Sequence, residues 1–140
     1  LLDHHERMED DLMDELRRLS SQRKKAHKQL LDLKSGTYAA FLDMERATYR
    51  DGHLPKKAKE LIAVGISVVI DCRSCMQWHI EQAAEGGASL EEILEAVEVG
   101  IEMGGGPATV SARFALTVIE DVFGRDAPSV SGHETAPVRS

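Results

Sequence analysis

The sequence predicts an all-α protein of about six helices, and three observations carry that reading. Apolar residues recur at spacings of three and four along nearly the whole chain. Strand-type alternation is nearly absent, and aromatic residues are scarce, with one Trp, two Tyr and three Phe in 140 residues. Glycine and proline fall in small clusters that cut the chain into helix-length pieces.

The elements follow in order. Residues 3–33 read as one long amphipathic helix. Leu12, Leu16, Leu19, Arg23, Ala26, Leu30 and Leu33 are spaced 4-3-4-3-4-3, a narrow seam interrupted by Arg23. Residues 1–16 carry seven acids and one base, and residues 17–34 carry seven bases and one acid. That order suits the helix dipole and makes the helix self-complementary in an antiparallel pair. The seam is expected either to lie on the chain's own core or to serve as an oligomer contact. Ser35-Gly36-Thr37 break and cap the chain, and a second helix runs from Tyr38 to about Arg50, ended by Asp51-Gly52. Pro55 opens a third helix, which runs to about Ile70 and reads as largely buried. Asp71 is expected to cap a fourth, Cys72 to Ala84, stopped by Gly86-Gly87. Ser89 with Glu92 forms a capping-box pattern at the start of a fifth. Gly104-Gly105-Gly106 end that helix, and Pro107 starts a sixth, which closes near Phe123-Gly124. Residues 126–140 hold little that could be buried and are expected to form a disordered tail, a candidate docking peptide for a larger assembly. The predicted organisation is therefore a helix at 1–34, a helical domain at 35–125 and a tail at 126–140.

Composition excludes several function classes. Seventeen basic against 24 acidic side chains give a net charge of −7, which disfavours a nucleic-acid partner. The longest apolar stretch, 61–70, is far short of the roughly 18 residues of a membrane span. Two cysteines are too few for a disulfide-stapled mini-domain. The chain opens on Leu1, so residues upstream are expected to have been lost, and no secretory signal is visible in what remains.

The chemistry concentrates at Cys72, Cys75 and His79. Separations of three and four place them on one helical face. A dithiol so spaced can exchange two electrons: one thiolate attacks, and the second resolves the sulfenic acid or mixed disulfide. Cys72, in the positive first turn beside Arg73, is the thiol this setting makes most acidic. His79 can carry a proton near neutral pH. Glu60 lies in the apolar third helix. Its spacing alone fits either a surface charge balancing Lys56, Lys57 and Lys59 or a partly desolvated base. Cys72, Cys75 and His79 could instead hold zinc, with Glu60 or His53 as the fourth ligand. A non-enzymatic scaffold using the charged first helix is a further alternative. His4, His5, His27 and His133 read as exposed, and Trp78 as a core or interface anchor.

Leu54 to Ala108 combine Pro55 and Glu60 on one helix, Cys72-x-x-Cys75-x-x-x-His79, a Gly87-Ala88-Ser89-x-Glu91-Glu92 turn and a closing Gly105-Gly106-Pro107-Ala108. This ordered set resembles the carboxymuconolactone decarboxylase/AhpD family. The resemblance implies an AhpD-like helical core of about five helices, with the long N-terminal helix as an addition. Members with the cysteine pair are thiol-dependent peroxidases or disulfide reductases, whereas the lactone decarboxylases lack the pair. By family pattern Cys75 is the peroxide-reactive thiol, Cys72 resolves it, and Glu60 and His79 relay protons. This departs from the electrostatic reading that favoured Cys72, which is kept as the thiol most open to an incoming reductant. AhpD proper carries a further His where this chain has Ser74, which points to weaker peroxidase activity or a leaning towards disulfide exchange, and the wider family tolerates other residues there. The implied reaction needs a hydroperoxide or disulfide substrate and an external dithiol reductant or carrier, and no cofactor. A homo-oligomer (dimer, trimer or hexamer) and a cytoplasmic location are expected.

Overall fold

The computed structural model describes residues 3–124, which form six helices. They are α1 (His4–Asp32), α2 (Gly36–Tyr49), α3 (Lys56–Val69), α4 (Arg73–Glu85), α5 (Leu90–Gly104) and α6 (Gly106–Phe123). No strand occurs among the described residues, so the predicted fold class holds. The expected tail lies outside them. Among the described residues no helix is long and apolar enough to cross a membrane.

The sequence specifies the corners locally. Ser35 caps α2 by accepting the Tyr38 amide at 3.1 Å. Ser89 and Glu92 form the expected reciprocal capping box at α5, with both bonds at 3.1 Å. Pro107 occupies the first turn of α6, where its missing N–H costs nothing.

The α3–α4 corner differs from expectation. Asp71 does not cap α4. It has φ +53° and ends α3 in the left-handed conformation. Its amide donates to Val68 O at 3.3 Å, and the Cys72 amide donates to Ser67 O at 3.1 Å. These are the two bonds of a Schellman motif. The Asp71 carboxylate accepts instead from Ser111 Oγ on α6, at 2.9 Å. Cys72 therefore becomes the N-cap of α4 itself. The turns after α1 and α4 use the same device, with Lys34 and Gly87 at positive φ.

Val64 and Val68 of α3, Met76 and Ile80 of α4, Ile93 and Val97 of α5, and Phe114 and Val118 of α6 form the centre of the core. Helix α3 packs on α4 and α5, and α6 closes the group. The α3–α5 approach is close because two glycines meet there. A Cβ on Gly100 would lie 2.7 Å from the Gly65 carbonyl oxygen and 3.0 Å from Val68 Cβ.

Two burial expectations need correction. Helix α3 buries only one face, and Ile62, Ile66, Val69 and Ile70 on the other are about half exposed. The seam of α1 divides: Leu16 is buried, next to the off-seam Met13, with α1 packed on α6 and α4, whereas Leu33 is 77% exposed. Helix α2 has no fully buried residue, and its backbone comes close only to α1 and α3.

Candidate functional site

The start of α4 brings the predicted residues together. Cys72 and Cys75 are joined by a disulfide, with their Cα atoms 5.2 Å apart. As N-cap, Cys72 Sγ accepts the Cys75 amide at 3.2 Å. This is the donor that a thiolate at the same position would use, so the helix terminus favours negative charge on Cys72. The expected help from Arg73 is absent. Its guanidinium pairs with Glu15 of α1 and lies 5.3 Å over the Phe114 ring, which ties α1 to the first turn of α4.

His79 stands one turn beyond Cys75. Its Nδ1 lies 2.7 Å from Glu60 Oε2, across the α3–α4 contact. Glu60 is 2% exposed, so it is not the surface charge that spacing alone allowed. A buried carboxylate takes the Nδ1 proton as its hydrogen bond and leaves the Nε2 lone pair free to accept another. Lys56 and Lys57, the cations one could pair with Glu60, are engaged elsewhere. Lys56 Nζ donates to Gln82 at 3.1 Å, and Lys57 bridges to Glu92 at 3.1 Å.

Cys75 and His79 both line a cleft of about 440 Å³. Helix α1 contributes Arg23, Lys24 and His27 to its wall, and α2 contributes Tyr38, Phe41, Leu42 and Glu45. Trp78 and Ser74 complete the α4 side. Cys72 is not among the lining residues, so of the two cysteines it is Cys75 that faces the cleft. Glu60 borders a second cavity of about 300 Å³, shared with Tyr49, Lys56 and Trp78 among others.

Several of these residues escape sequence reasoning. Tyr49 lies against His79, with ring centroids 5.2 Å apart. Burial, followed by the charges of Glu60 and Glu45, holds its phenol above the ordinary value, so it stays protonated. His27, read as exposed, is hydrogen-bonded to the Tyr38 hydroxyl at 2.5 Å. Trp78 is half-buried, with the Arg23 guanidinium 4.6 Å over its ring. No motif links α2 to the cysteines; only the return of α2 along α1 brings it there.

The zinc alternative concerns the reduced cysteine pair alone. With both sulfurs in a disulfide neither is a thiolate ligand, and no cluster of three His, Cys, Asp or Glu suited to a metal occurs among the described residues. His53 is exposed in the loop before α3.

Comparison with known proteins places this geometry. The model of the carboxymuconolactone decarboxylase family matches residues 36–117, which leaves α1 outside the match. An uncharacterized protein of the cox locus of Paracoccus denitrificans is 39% identical over 85 residues, 61% of this chain and 77% of that protein. An uncharacterized protein of Cupriavidus necator is 39% identical over 82 residues, 59% of this chain and 73% of that protein. Among solved structures, a carboxymuconolactone decarboxylase family protein from Legionella pneumophila, in its apo form, superposes with a TM-score of 0.73 at 28% identity. It covers 78% of this chain and 97% of that one. One from Thermotoga maritima, whose name carries a possible involvement in the antioxidative response, superposes with a TM-score of 0.68 at 27% identity. It covers 76% of this chain and 90% of that one.

Proposed function

We propose that this chain, which belongs to the carboxymuconolactone decarboxylase family, is a thiol-dependent peroxidase that cycles through the Cys72–Cys75 disulfide. One observation carries the reading: Cys75 and His79 face the same cleft, and His79 is held from behind by the buried Glu60.

The cycle balances without a cofactor. In the reduced enzyme the Cys75 thiolate attacks the distal oxygen of a hydroperoxide ROOH. The O–O bond breaks, Cys75 becomes a sulfenic acid, and RO⁻ leaves. His79, protonated on Nε2 by the Cys75 thiol it has deprotonated, returns that proton to give ROH. Glu60 steadies the transient imidazolium through Nδ1. The Cys72 thiolate, formed at the helix terminus, then attacks the sulfenic sulfur. The disulfide forms, and hydroxide departs as water with the proton lost by Cys72. An external dithiol reduces the disulfide and is itself oxidised. Because Cys75 and not Cys72 lines the cleft, the reductant attacks Cys75, not Cys72 as the sequence suggested, and expels Cys72, whose negative charge the Cys75 amide stabilises. A reducing compartment such as the cytoplasm suits this cycle.

The half-exposed apolar face of α3, with Val99 and Met103 of α5 exposed as well, is the surface on which a second copy of the chain would dock. Sedimentation at two concentrations tests that association.

The deciding experiment follows consumption of an organic hydroperoxide by dithiothreitol, comparing wild type with Cys75→Ser, Cys72→Ser and Glu60→Gln. Wild type is expected to turn over and Cys75→Ser to fall to the uncatalysed rate. Equal rates in all four proteins would overturn the peroxidase reading.

A further inference from the structure

The chemistry just described uses Cys75 and His79 but leaves the other walls of their cleft without a role. Resting on the peroxidase reading, we propose that this cleft selects an anionic, amphipathic substrate: the hydroperoxide of a free medium- or long-chain carboxylic acid, reduced to the hydroxy acid.

The walls are sorted by chemistry. Trp78, Leu42 and Phe41 offer an apolar surface beside Cys75, and Phe41 is about half exposed with nothing in the fold to cover it. Such a surface holds a hydrocarbon body. The cleft, about 440 Å³, falls in the roughly 300–1,000 Å³ range of small-molecule sites.

The charges are placed unequally. Arg23 is partly neutralised by Glu81 at 3.7 Å and stacks on Trp78. Lys24, on the same wall, has no carboxylate in ion-pair reach among the described residues. It stands in the basic half of α1, on a chain whose net charge is −7. His27, the remaining titratable group of that wall, is engaged by Tyr38. The cleft's own carboxylate, Glu45, also borders the neighbouring cavity with Tyr49, which lies against His79. A carboxylate therefore stands on the α2 side of the cleft and an unmatched cation on the α1 side. A carboxylate is drawn to Lys24 and repelled from Glu45, which turns the other end of the molecule, or its mid-chain hydroperoxide, towards Cys75.

Trp78 is the only tryptophan in the chain and reports occupancy directly. Decanoate, which cannot react, is titrated into the oxidised protein while Trp78 emission is followed, with 1-decanol as the uncharged counterpart. Decanoate is expected to bind saturably and at least about tenfold more tightly than decanol, a difference of about 1.4 kcal/mol. Lys24→Glu should remove most of that preference, and Lys25→Glu, an equal charge change outside the cleft lining, should keep it. In turnover, kcat/KM for linoleic acid hydroperoxide relative to its methyl ester should fall by a similar factor in Lys24→Glu. Equal affinity for decanoate and decanol, or a preference untouched by Lys24→Glu, overturns the inference and leaves the peroxidase reading standing. Lys24-dependent decanoate binding without turnover of any hydroperoxide overturns the peroxidase reading and leaves the ligand class assigned.

Discussion

Glu60 and His79 meet across the α3–α4 interface at 2.7 Å, with the carboxylate almost wholly removed from water. A buried charge of this kind persists only when paired. Its partner here is a side chain that also faces the cleft.

Glu60→Gln tests what the charge contributes. The amide oxygen can still accept the Nδ1–H bond, so the ring keeps its orientation. The stabilisation of imidazolium is lost. The expected result is a fall of about 100-fold in kcat/KM for hydroperoxide, within the usual span of acid–base assistance. Thermal stability should change by only about 1 kcal/mol. Unchanged kcat/KM in a folded protein would show that the relay does not operate.

The two cysteines should fail differently. Cys75→Ser removes the sulfur that faces the cleft and should abolish peroxide consumption even in a single turnover. Cys72→Ser removes only the resolving thiol. It should consume about one equivalent of peroxide per chain and then stall as a sulfenic acid, trappable with dimedone and visible by mass spectrometry. The reverse pattern, with the trapped adduct in Cys75→Ser, would assign attack to Cys72, the thiol that the helix terminus makes more acidic.

Asp71 fixes where α4 begins, and hence where Cys72 sits. A β-branched residue is strained in the left-handed region, by roughly 1–2 kcal/mol, and Asp71→Val also loses the bond from Ser111. We expect Asp71→Val to lose at least about 2 kcal/mol in urea unfolding and Asp71→Gly to lose less, since glycine accepts the backbone. Equal losses for the two would place the effect in the Ser111 bond and not in the corner.

Much of this was legible in the sequence because the signals are local. Helical periodicity, the Ser89–Glu92 box, Pro107 and the C-x-x-C-x-x-x-H spacing each act within two turns. The Glu60–His79 pairing lies nineteen positions apart and came from the family pattern, since spacing fits a surface glutamate equally well. Asp71 misled because aspartate suits both an N-cap and a left-handed helix end, and only the Ser67 and Val68 carbonyls decide between them. The cleft wall was not legible at all. Lys24 and Phe41 on the cleft wall, and Tyr49 against His79, are ordinary residues on helices whose packing, not their sequence, brings them to the site. The exposure of Ile62 and Ile66 was missed for a related reason, because apolar character marks a face for burial without saying by which partner.

The Ser89–Glu92–Lys57 cluster should give the fold a measurable dependence on acid. The Ser89 backbone amide first, and Lys57 with it, hold the Glu92 carboxyl below its ordinary value of 4.5. A carboxyl depressed in the folded state binds its proton more readily in the unfolded chain. Its contribution to stability is therefore present above the unfolded value and lost as pH falls through the lower folded one. Glu92→Gln keeps an acceptor for the Ser89 amide but cannot attract Lys57 or gain from the helix N-terminus as an anion. The variant should unfold at lower urea than wild type at pH 7. The two midpoints should converge as pH drops below about 4.5 and wild-type Glu92 becomes protonated as well. Added salt at pH 7 should narrow the gap in part, because the Lys57 pair is exposed to solvent while the backbone bond is short-ranged. A gap that stays constant as the pH falls, until the fold itself is lost, would mean that Glu92 acts through packing and that its charge contributes nothing.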